Sequence, residues 1–286
     1  MAKRLEGKTI LITGASSGIG RSCAQEFART SPANLKLILT ARRIDTLKQV
    51  AASITAEVGS GVQVLPVQLD ISDPSQVRSF ISNLPTEFQE IDVLVNNAGL
   101  VKGVAKAPDI IEEDMNIMFA TNVTGLINMT QTVLQGMKTR GESGQGDIIN
   151  IGSIAGREGY PGGSIYCATK AAVRIFTDSL RRELIATRIR VMEVDPGQVE
   201  TVGFPLKCTV KRRAKTDYWY TGILGRPIWR RQSQSRRGLR GLRAIDTRRH
   251  CRDCCFCCWQ TRKCRSGRFV DLPKSPGKRR SLHFLT

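Results

Sequence analysis

Short apolar runs alternate along the first two hundred residues with longer stretches in which apolar residues recur every three or four positions. The short runs have the length of strands and the longer stretches that of amphipathic helices, which predicts successive βαβ units. Each run is apolar almost throughout, as expected of a doubly wound α/β sheet whose parallel strands are covered by helices on both faces. The predicted strands are Thr9–Thr13, Leu35–Thr40, Val62–Gln68, Asp92–Asn96, Asp147–Ile151 and Arg190–Val194, and the predicted helices are Gly18–Thr30, Ile44–Val58, Pro74–Asn83, Ile111–Met137 and Ile165–Ala186.

The charge is distributed unevenly along the chain. The 286 residues have a formal net charge of +19, but residues 202–286 contain 23 Lys or Arg and 4 acidic residues, whereas residues 1–201 contain 21 of each. The balanced front part therefore lacks the basic surface of a protein that binds nucleic acid or an anionic membrane. We expect a single catalytic domain over residues 1–201 and a basic tail over residues 202–286 that is disordered or irregular and is not a native domain.

Cysteines follow the same division. Of the 9 cysteines only Cys23 and Cys167 precede residue 202, which implies no disulfide framework and suits a reducing compartment. The N-terminus has no apolar signal core, and no apolar stretch approaches the roughly 20 residues that span a bilayer. The sequence thus predicts a cytoplasmic protein that does not interact with a membrane.

A glycine-containing loop follows the first predicted strand, at the position where open α/β sheets bind their ligands. Its glycines allow the backbone to approach a pyrophosphate, and the helix that follows offers free N–H groups to the same anion. A purely structural turn is the alternative. The expected dinucleotide contacts are Gly14, Ser16, Ser17, Gly18, Ile19 and Gly20.

Arg42 and Arg43 follow the second predicted strand, where a site specific for NAD usually has an acidic residue. A guanidinium can bind a 2′-phosphate with two hydrogen bonds, which favours NADP(H) over NAD(H). The alternative is a solvated basic pair at the start of a helix. Asp70, after the third strand, can contact adenine or cap the next helix.

Tyr166 and Lys170 give the most specific signal, because they stand four positions apart in a predicted helix and share one face. An ammonium beside a phenol lowers the phenol's pKa from about 10 toward working pH, which makes Tyr166 a general acid or base. Ser153 lies just past the fifth predicted strand. A lone Tyr-x-x-x-Lys arises by chance, but here it stands with Ser153, the glycine loop, the motif at residues 96–99 and Pro196-Gly197.

On these motifs, Lys8–Thr201 resembles the short-chain dehydrogenase/reductase family. The resemblance implies a Rossmann-like fold and a homodimer or homotetramer. It also implies that Tyr166 exchanges a proton with the substrate oxygen, that Ser153 hydrogen-bonds this oxygen, and that Lys170 holds the nicotinamide ribose. Asn122 matches the family's fourth catalytic residue, which keeps a water between the lysine and solvent. The cofactor contacts implied here are Tyr166, Lys170, Asn97, Gly99, Pro196, Gly197 and Thr201, although a structural role for Asn97 fits equally well.

Within the family, residues 94–103 and 149–156 are similar to the NADP-dependent 3-hydroxy acid dehydrogenases, which oxidise serine and allo-threonine. This resemblance implies hydride transfer between NADP(H) and the carbinol or carbonyl carbon of a small hydroxy acid or alcohol. Arg174, one helical turn beyond Lys170, can pair with a substrate carboxylate or lie at an exposed or interfacial position.

The resemblance stops near Thr201, and the family's substrate-covering loop, further helix and last parallel strand are not recognisable beyond it. Cysteines at residues 251–264 form overlapping Cys-x-x-Cys pairs without a second pair at a suitable distance, so we predict no metal site and only adventitious zinc binding. Charge alone gives weak, sequence-independent nucleic-acid binding, and we predict no specific nucleic-acid partner. Our hypothesis is that the reading frame was lost near residues 201–203 and that activity is impaired. The alternative is an inactive dinucleotide-binding protein with a basic tail.

Overall fold

The computed structural model describes residues 2–197 and residue 199. They form a six-stranded sheet in the order β3-β2-β1-β4-β5-β6, and every neighbouring pair is parallel. This confirms the doubly wound α/β fold. The predicted lack of the family's last strand and the division at residue 201 both concern residues outside the described part. The strands are β1 (Thr9–Thr13), β2 (Leu35–Ala41), β3 (Val62–Gln68), β4 (Val93–Asn96), β5 (Gln145–Ile151) and β6 (Arg188–Val194).

Helices cover both faces of the sheet. Four predicted helices appear with small changes of boundary, and one that the periodicity did not predict, α1, precedes β1. The fifth predicted helix, Ile111–Met137, is divided by a π-helical turn at Ala120–Gly125. The helices are α1 (Ala2–Leu5), α2 (Gly18–Thr30), α3 (Ile44–Val58), α4 (Pro74–Ser79), α5 (Glu112–Phe119), α6 (Leu126–Lys138) and α7 (Ser164–Glu183).

The core consists of two apolar clusters, one on each face of the sheet. Alternation along β1 divides its residues between them, since Ile10 and Ile12 pack with α2 and α3 whereas Leu11 packs with α4, α6 and α7. All five residues of β1 are buried, which explains why the three residues between Thr9 and Thr13 are all apolar. Pro66, which has no N–H to donate, lies in the edge strand β3.

The sheet order reverses between β1 and β4, because the chain first adds β2 and β3 on one side of β1 and then β4, β5 and β6 on the other. A crevice forms at such a point outside the carboxyl ends of the strands. No helix among the described residues is long and apolar enough to cross a membrane.

Candidate active site

The glycine loop leaves β1 at the point where the sheet order reverses. Gly14 has φ +66°, and a side chain on it would approach the Cα of Ala98 to 2.8 Å. The hydroxyl of Thr13 accepts hydrogen bonds from the N–H groups of Asn97 and Ala98, at 3.0 Å each. The Asn97 carboxamide donates to the carbonyls of Thr13 and Gly14, at 2.9 and 3.1 Å. In this structure Asn97 therefore fixes the glycine loop, and Thr13, which the sequence did not single out, shares that task.

The N-terminus of α2 is open to an anion. Ser17 precedes the helix, and within the described part of the chain its side chain makes no capping hydrogen bond to the first turn. The first-turn N–H groups of an α-helix lie beyond the reach of its own i→i−4 ladder, and they are the groups with which a helix N-terminus binds an anion. A Cβ on Gly20 would collide with the Asn97 carboxamide and lie 2.5 Å from the Gly14 carbonyl oxygen, so helix and loop are in close contact. This arrangement fits a pyrophosphate.

Arg42 and Arg43 are both exposed at the end of β2. Arg43 reaches back to the glycine loop, where its Nη2 donates to the Ser16 hydroxyl at 3.3 Å. An anion at this corner would therefore meet a guanidinium together with loop hydroxyls.

Asp70 closes a turn after β3, because its Oδ1 accepts from the N–H and hydroxyl of Ser72 at 3.0 and 2.6 Å. The cap of α4 is Asp73, whose carboxylate accepts from the N–H groups of Ser75 and Gln76. The alternative that Asp70 caps the helix is therefore wrong. Asp73 lies directly before Pro74, which occupies the first helical position and has no N–H to satisfy.

Tyr166 and Lys170 lie on the same face of α7, with the Lys170 Nζ 5.9 Å from the centre of the Tyr166 ring. Lys170 is only 6% exposed, and its ammonium donates to the carbonyl of Ile151 at the end of β5, at 2.7 Å. Burial lowers the pKa of Lys170 to about 8, although Asp195 and Glu193 act in the opposite direction. The ammonium thus changes charge close to physiological pH.

The environment of the Tyr166 phenol differs from the sequence-based expectation. Burial raises its pKa above the ordinary value, whereas a hydrogen bond with Ser153 lowers it. The expected lowering by Lys170 is therefore wrong for this structure, because desolvation of the phenolate is the larger effect. The phenol is a proton donor at neutral pH, and the Ser153 hydroxyl lies within hydrogen-bonding reach of it.

Asn122 lies in the π-helical turn and is 1% exposed. Its Oδ1 accepts from the N–H of Leu100 at 2.8 Å, and its Nδ2 donates to the Leu100 carbonyl at 2.9 Å and to the Thr169 hydroxyl at 3.1 Å. A Cβ on Gly99 would lie 3.3 Å from the same carboxamide and 3.7 Å from the Lys170 ammonium. The turn therefore joins the loop after β4 to the helix that carries Tyr166 and Lys170. Local π-turns are frequent at functional sites.

Two further asparagines form a buried network that the sequence analysis missed. Asn96 and Asn150 are paired across β4 and β5. The Asn96 Nδ2 donates to the Asn150 Oδ1 at 2.9 Å and to the Thr130 hydroxyl at 2.8 Å, while the Asn150 Nδ2 donates to the Thr177 hydroxyl at 2.9 Å. The network fixes α6 and α7 against the sheet. Asparagines in otherwise apolar strands were the available signal.

The loop after β6 lies beside the loop that carries Ser153. Asp195 accepts from the N–H of Ser153 at 3.1 Å and binds the Arg157 guanidinium, and the Pro196 carbonyl accepts from the N–H of Ile154. Gly197 follows directly, whereas Thr201 lies outside the described residues. Asp195 and Arg157 were missed, because nothing in a sequence separation of 38 residues indicates contact.

A pocket of about 300 Å³, part of it open to solvent, lies beside the Tyr166 ring. The Lys102 ammonium, at its wall, pairs with Asp114 at 3.1 Å. Arg174 does not line this pocket, and its buried Nε has no hydrogen-bond partner among the described residues. Other lining residues are Gly103, Ile111, Met118, Gly162 and Ser164.

Residues 8–205 match the sequence profile of a family described as short chain dehydrogenase. The chain belongs to this family. Of the residues that the sequence predicts to be catalytic, Tyr166 lines the pocket, Lys170 lies on the same face of α7, and Asn122 donates a hydrogen bond to Thr169 between them. No group of three His, Cys, Asp or Glu side chains in the described ranges is arranged to hold a metal ion.

Relatives within the short chain dehydrogenases include two with named activities. The chain is 52% identical over 198 residues to the NADP-dependent 3-hydroxy acid dehydrogenase of Schizosaccharomyces pombe, which covers 69% of this chain and 74% of the relative. It is 42% identical over 212 residues to sulfoacetaldehyde reductase 2 of Chromohalobacter salexigens, covering 74% and 80%. A solved structure of serine dehydrogenase in its closed form with NADP+ is similar at 39% identity and a TM-score of 0.60, covering 67% of this chain and 73% of that one.

Proposed function

We propose that the chain is an NADP(H)-dependent oxidoreductase that transfers a hydride between the cofactor and the carbinol or carbonyl carbon of a small hydroxy acid, such as a 3-hydroxy acid of the serine or allo-threonine type. The observation that carries this proposal is the grouping of Tyr166, Lys170 and Ser153 beside a glycine loop and a small pocket. The activities named for the relatives support it.

The cofactor site we propose extends from the glycine loop to Lys170. The open N-terminus of α2 would hold the pyrophosphate, and Arg42 with Arg43 would hold the 2′-phosphate that distinguishes NADP(H). Bound NADP(H) supplies the hydride donor or acceptor. The full proposed set is Gly14, Ser16, Ser17, Gly18, Ile19, Gly20, Arg42, Arg43, Asp70, Asn97, Gly99, Tyr166, Lys170, Pro196, Gly197 and Thr201.

The catalytic roles we propose follow from the protonation states of the site. The Tyr166 phenol, protonated at neutral pH because burial raises its pKa, donates its proton to the carbonyl oxygen in the direction of reduction. The Ser153 hydroxyl hydrogen-bonds the same oxygen. In the direction of oxidation, the Lys170 ammonium stabilises the phenolate that accepts the proton. Asn122 bonds to Leu100 and to Thr169, the residue before this lysine.

The substrate class rests on pocket size and on the relatives. The pocket beside Tyr166 is small, and the two named relatives act on 3-hydroxy acids and on sulfoacetaldehyde, both small molecules with an acid group. Lys102 is the cation at the pocket wall, although its pairing with Asp114 reduces its net attraction for an anion. We therefore propose a short hydroxy acid over a bulky alcohol.

Two coarser properties belong to the same proposal. We propose a homodimer or homotetramer, supported by the exposed apolar side chains of Phe119 on α5 and Ile175 on α7. A cytoplasmic location is supported by the buried residues Cys23 and Cys167, neither of which forms a disulfide in the described part of the chain. Sedimentation velocity of the purified chain tests the first property, and microscopy of a tagged chain tests the second.

We also propose that residues 1–201 form the catalytic domain and that a lost reading frame produced residues 202–286. Support comes from composition, since the acidic and basic residues balance before this boundary and not after it. Sequencing the transcript across codons 195 to 210 tests this directly, because an intact frame would refute it. Restoring the frame should raise activity, and equal activity of both chains would mean that the tail does no harm.

The functional test is NADP+-dependent oxidation of a panel of 3-hydroxy acids, with reduction of sulfoacetaldehyde as a second arm. It is run on the full chain and on the frame-restored chain. We expect NADP+ to support turnover of serine or a related 3-hydroxy acid, and NAD+ to support it poorly. Tight NADPH binding without turnover in both chains would favour the alternative, an inactive dinucleotide-binding protein.

A further inference from the structure

Three successive N–H groups join the loop after β5 to the loop after β6. The N–H of Gly152 donates to the Val194 carbonyl at 2.8 Å, and that of Ile154 donates to the Pro196 carbonyl at 3.1 Å. Between them, the N–H of Ser153 donates to the side chain of Asp195 at 3.1 Å. The two outer bonds continue the parallel pairing of β5 and β6, whereas the middle one depends on a single carboxylate.

That carboxylate is itself held in place. Both the Nε and the Nη2 of Arg157 lie 2.7 Å from the Asp195 Oδ2, which leaves the Oδ1 for Ser153. Arg157 ends the short 3-10 turn Ile154–Gly156 that begins after Ser153. Asp195 therefore contacts both ends of this turn, through the Ser153 N–H before it and the Arg157 guanidinium after it. Gly152 completes the arrangement, because a Cβ there would collide with the Asp195 carboxylate.

The position of the Ser153 hydroxyl depends on this turn. Its oxygen accepts from the N–H of Ala155 at 3.1 Å, and a hydrogen bond with the same side chain lowers the pKa of Tyr166. If the backbone at Ser153 moved, the hydroxyl would move with it, and a displacement of about 1 Å can cost about 10²-fold in rate. The pair is too exposed to contribute much to stability, since Arg157 is 54% exposed.

From these contacts we propose that Asp195, held by Arg157, is a positioning residue that fixes Ser153 for catalysis. The proposal rests on the catalytic role proposed above for Ser153. Asp195 does not line the pocket, and besides its contact with the Ser153 N–H its charge raises the pKa of Lys170. The proposal places its effect on catalysis in the contact with Ser153 and not in this charge. It predicts that the acceptor oxygen matters more than the negative charge.

A double-mutant cycle in the full chain tests the coupling. We expect Asp195→Ala to lower kcat by about tenfold to 10²-fold with little change in the KM for NADPH. In a Ser153→Ala background the same substitution should lower kcat by less than about twofold, because the group it positions is gone. Asp195→Asn keeps an acceptor oxygen and should restore most of the loss. Additive effects of the two alanine substitutions, or an Asn variant as poor as the Ala variant, would overturn the proposal.

Amide hydrogen exchange gives a readout that needs no turnover. Asp195→Ala should accelerate exchange at the Ser153 amide by about tenfold or more, while the Gly152 amide, bonded to a carbonyl, stays protected. Unchanged exchange at Ser153 would overturn the proposal. If no variant turns over substrate in either the full chain or the frame-restored chain but exchange at Ser153 responds, the proposed function fails and the positioning contact stands.

The matched control is Arg29→Gln. It removes another exposed arginine–carboxylate pair, in which the Nη2 of Arg29, near the carboxyl end of α2, lies 3.0 Å from Glu57 on α3. We expect the same kcat and the same Ser153 exchange as in the unmodified chain. A comparable loss in this control would show that any broken surface pair lowers activity, and the proposal would fall.

Discussion

The two halves of the sheet build their parts of the site by different means. Around β1 and β2, the shape of the glycine loop depends first on missing side chains, since Gly14 and Gly20 bring backbone against backbone, and the Asn97 carboxamide then holds the loop in place. Around β4, β5 and β6, the corresponding loops are fixed by side chains that bond to backbone groups, as Asn122 does with Leu100 and Asp195 with Ser153.

This difference follows from what each half would do. A pyrophosphate is recognised by N–H groups and a helix dipole, so the protein needs only to expose backbone. Proton transfer requires single side-chain atoms at fixed positions, so the protein surrounds them with hydrogen bonds. Lys170, 6% exposed and bonded to the Ile151 carbonyl, shows the cost of such placement, because burial lowers its pKa to about 8.

The largest expected effect lies in the half of the sheet formed by β4, β5 and β6, where side chains fix the loops. We call it the side-chain half. Tyr166→Phe should lower kcat by about 10³-fold or more while the NADPH dissociation constant stays within about twofold, because the phenol's proton is used only in the chemical step. Steady-state kinetics in the frame-restored chain and a fluorescence titration measure the two quantities. Tyr160→Phe is the control, since it removes the hydroxyl of a 45% exposed tyrosine near the pocket. Substantial turnover by the Tyr166 variant would remove it as the acid/base.

The second-largest effect is expected in the half formed by β1 and β2, where backbone packs against backbone. We call it the backbone half. Gly20→Ala should weaken NADPH binding and destabilise the fold by about 1–3 kcal/mol, because its Cβ would collide with Asn97 and the Gly14 carbonyl. Gly136→Ala is the matched control on α6, where no described atom would lie within 4 Å of the new Cβ. That change should stabilise by about 0.5–1 kcal/mol. Thermal melts measure both variants, and equal responses would contradict the role of close backbone contact.

The same difference explains how much could be predicted from the sequence. The apolar runs predicted all six strands. The glycine loop and the Tyr166–Lys170 spacing are local patterns that can be recognised within a short stretch of sequence. The limits of α4 and the break in Ile111–Met137 were not predictable, because they depend on tertiary contacts such as those of Asn122. The sequence shows that Asn150 is a polar residue in an apolar strand, but it does not show that Asn150 pairs with Asn96.

The pKa of Tyr166 shows the same limit in electrostatics. Spacing alone placed an ammonium near the phenol, and the structure agrees, with 5.9 Å from the Lys170 Nζ to the ring centre. Whether the pKa falls or rises depends on how much water the fold excludes. The exclusion of water from the phenol depends on how α7 packs against the rest of the domain, so it cannot be predicted from a local sequence pattern.

A third, smaller effect would sharpen the assignment of the backbone half. Arg42→Asp should narrow the preference for NADPH over NADH by about tenfold or invert it, because an acid replaces a guanidinium where the 2′-phosphate is expected. Dissociation constants for both cofactors are the measurement. Lys48→Asp, the same charge change at an exposed position on α3, should leave the ratio unchanged. Equal dissociation constants for both cofactors in the unmodified chain would remove this role from Arg42 and Arg43.

The smallest effect is a pH dependence built into the side-chain half. Burial and the neighbouring carboxylate of Asp195 raise the pKa of Glu193 from 4.5 to about 7, and Asp178 acts in the same direction, while Arg157 opposes them. Lys170 also interacts electrostatically with the carboxylates of Asp195 and Glu193. In the unfolded chain Glu193 ionises near its ordinary value, so the unfolded state releases its proton first as the pH rises.

It follows that the contribution of Glu193 to stability is full below pH 4.5 and is lost as the pH rises through about 7. Glu193→Gln cannot ionise, so it should match the unmodified chain at the acidic end and exceed it by about 1 kcal/mol at the alkaline end, a value reduced for the partly exposed side chain. Melting temperatures across this window measure the difference. Glu183→Gln, at an exposed position on α7, removes one charge without burial and should show no such slope. If the melting temperatures of the Glu193 variant and the unmodified chain differed by the same amount at every pH, the pKa of the Glu193 carboxyl would not be raised in the folded chain.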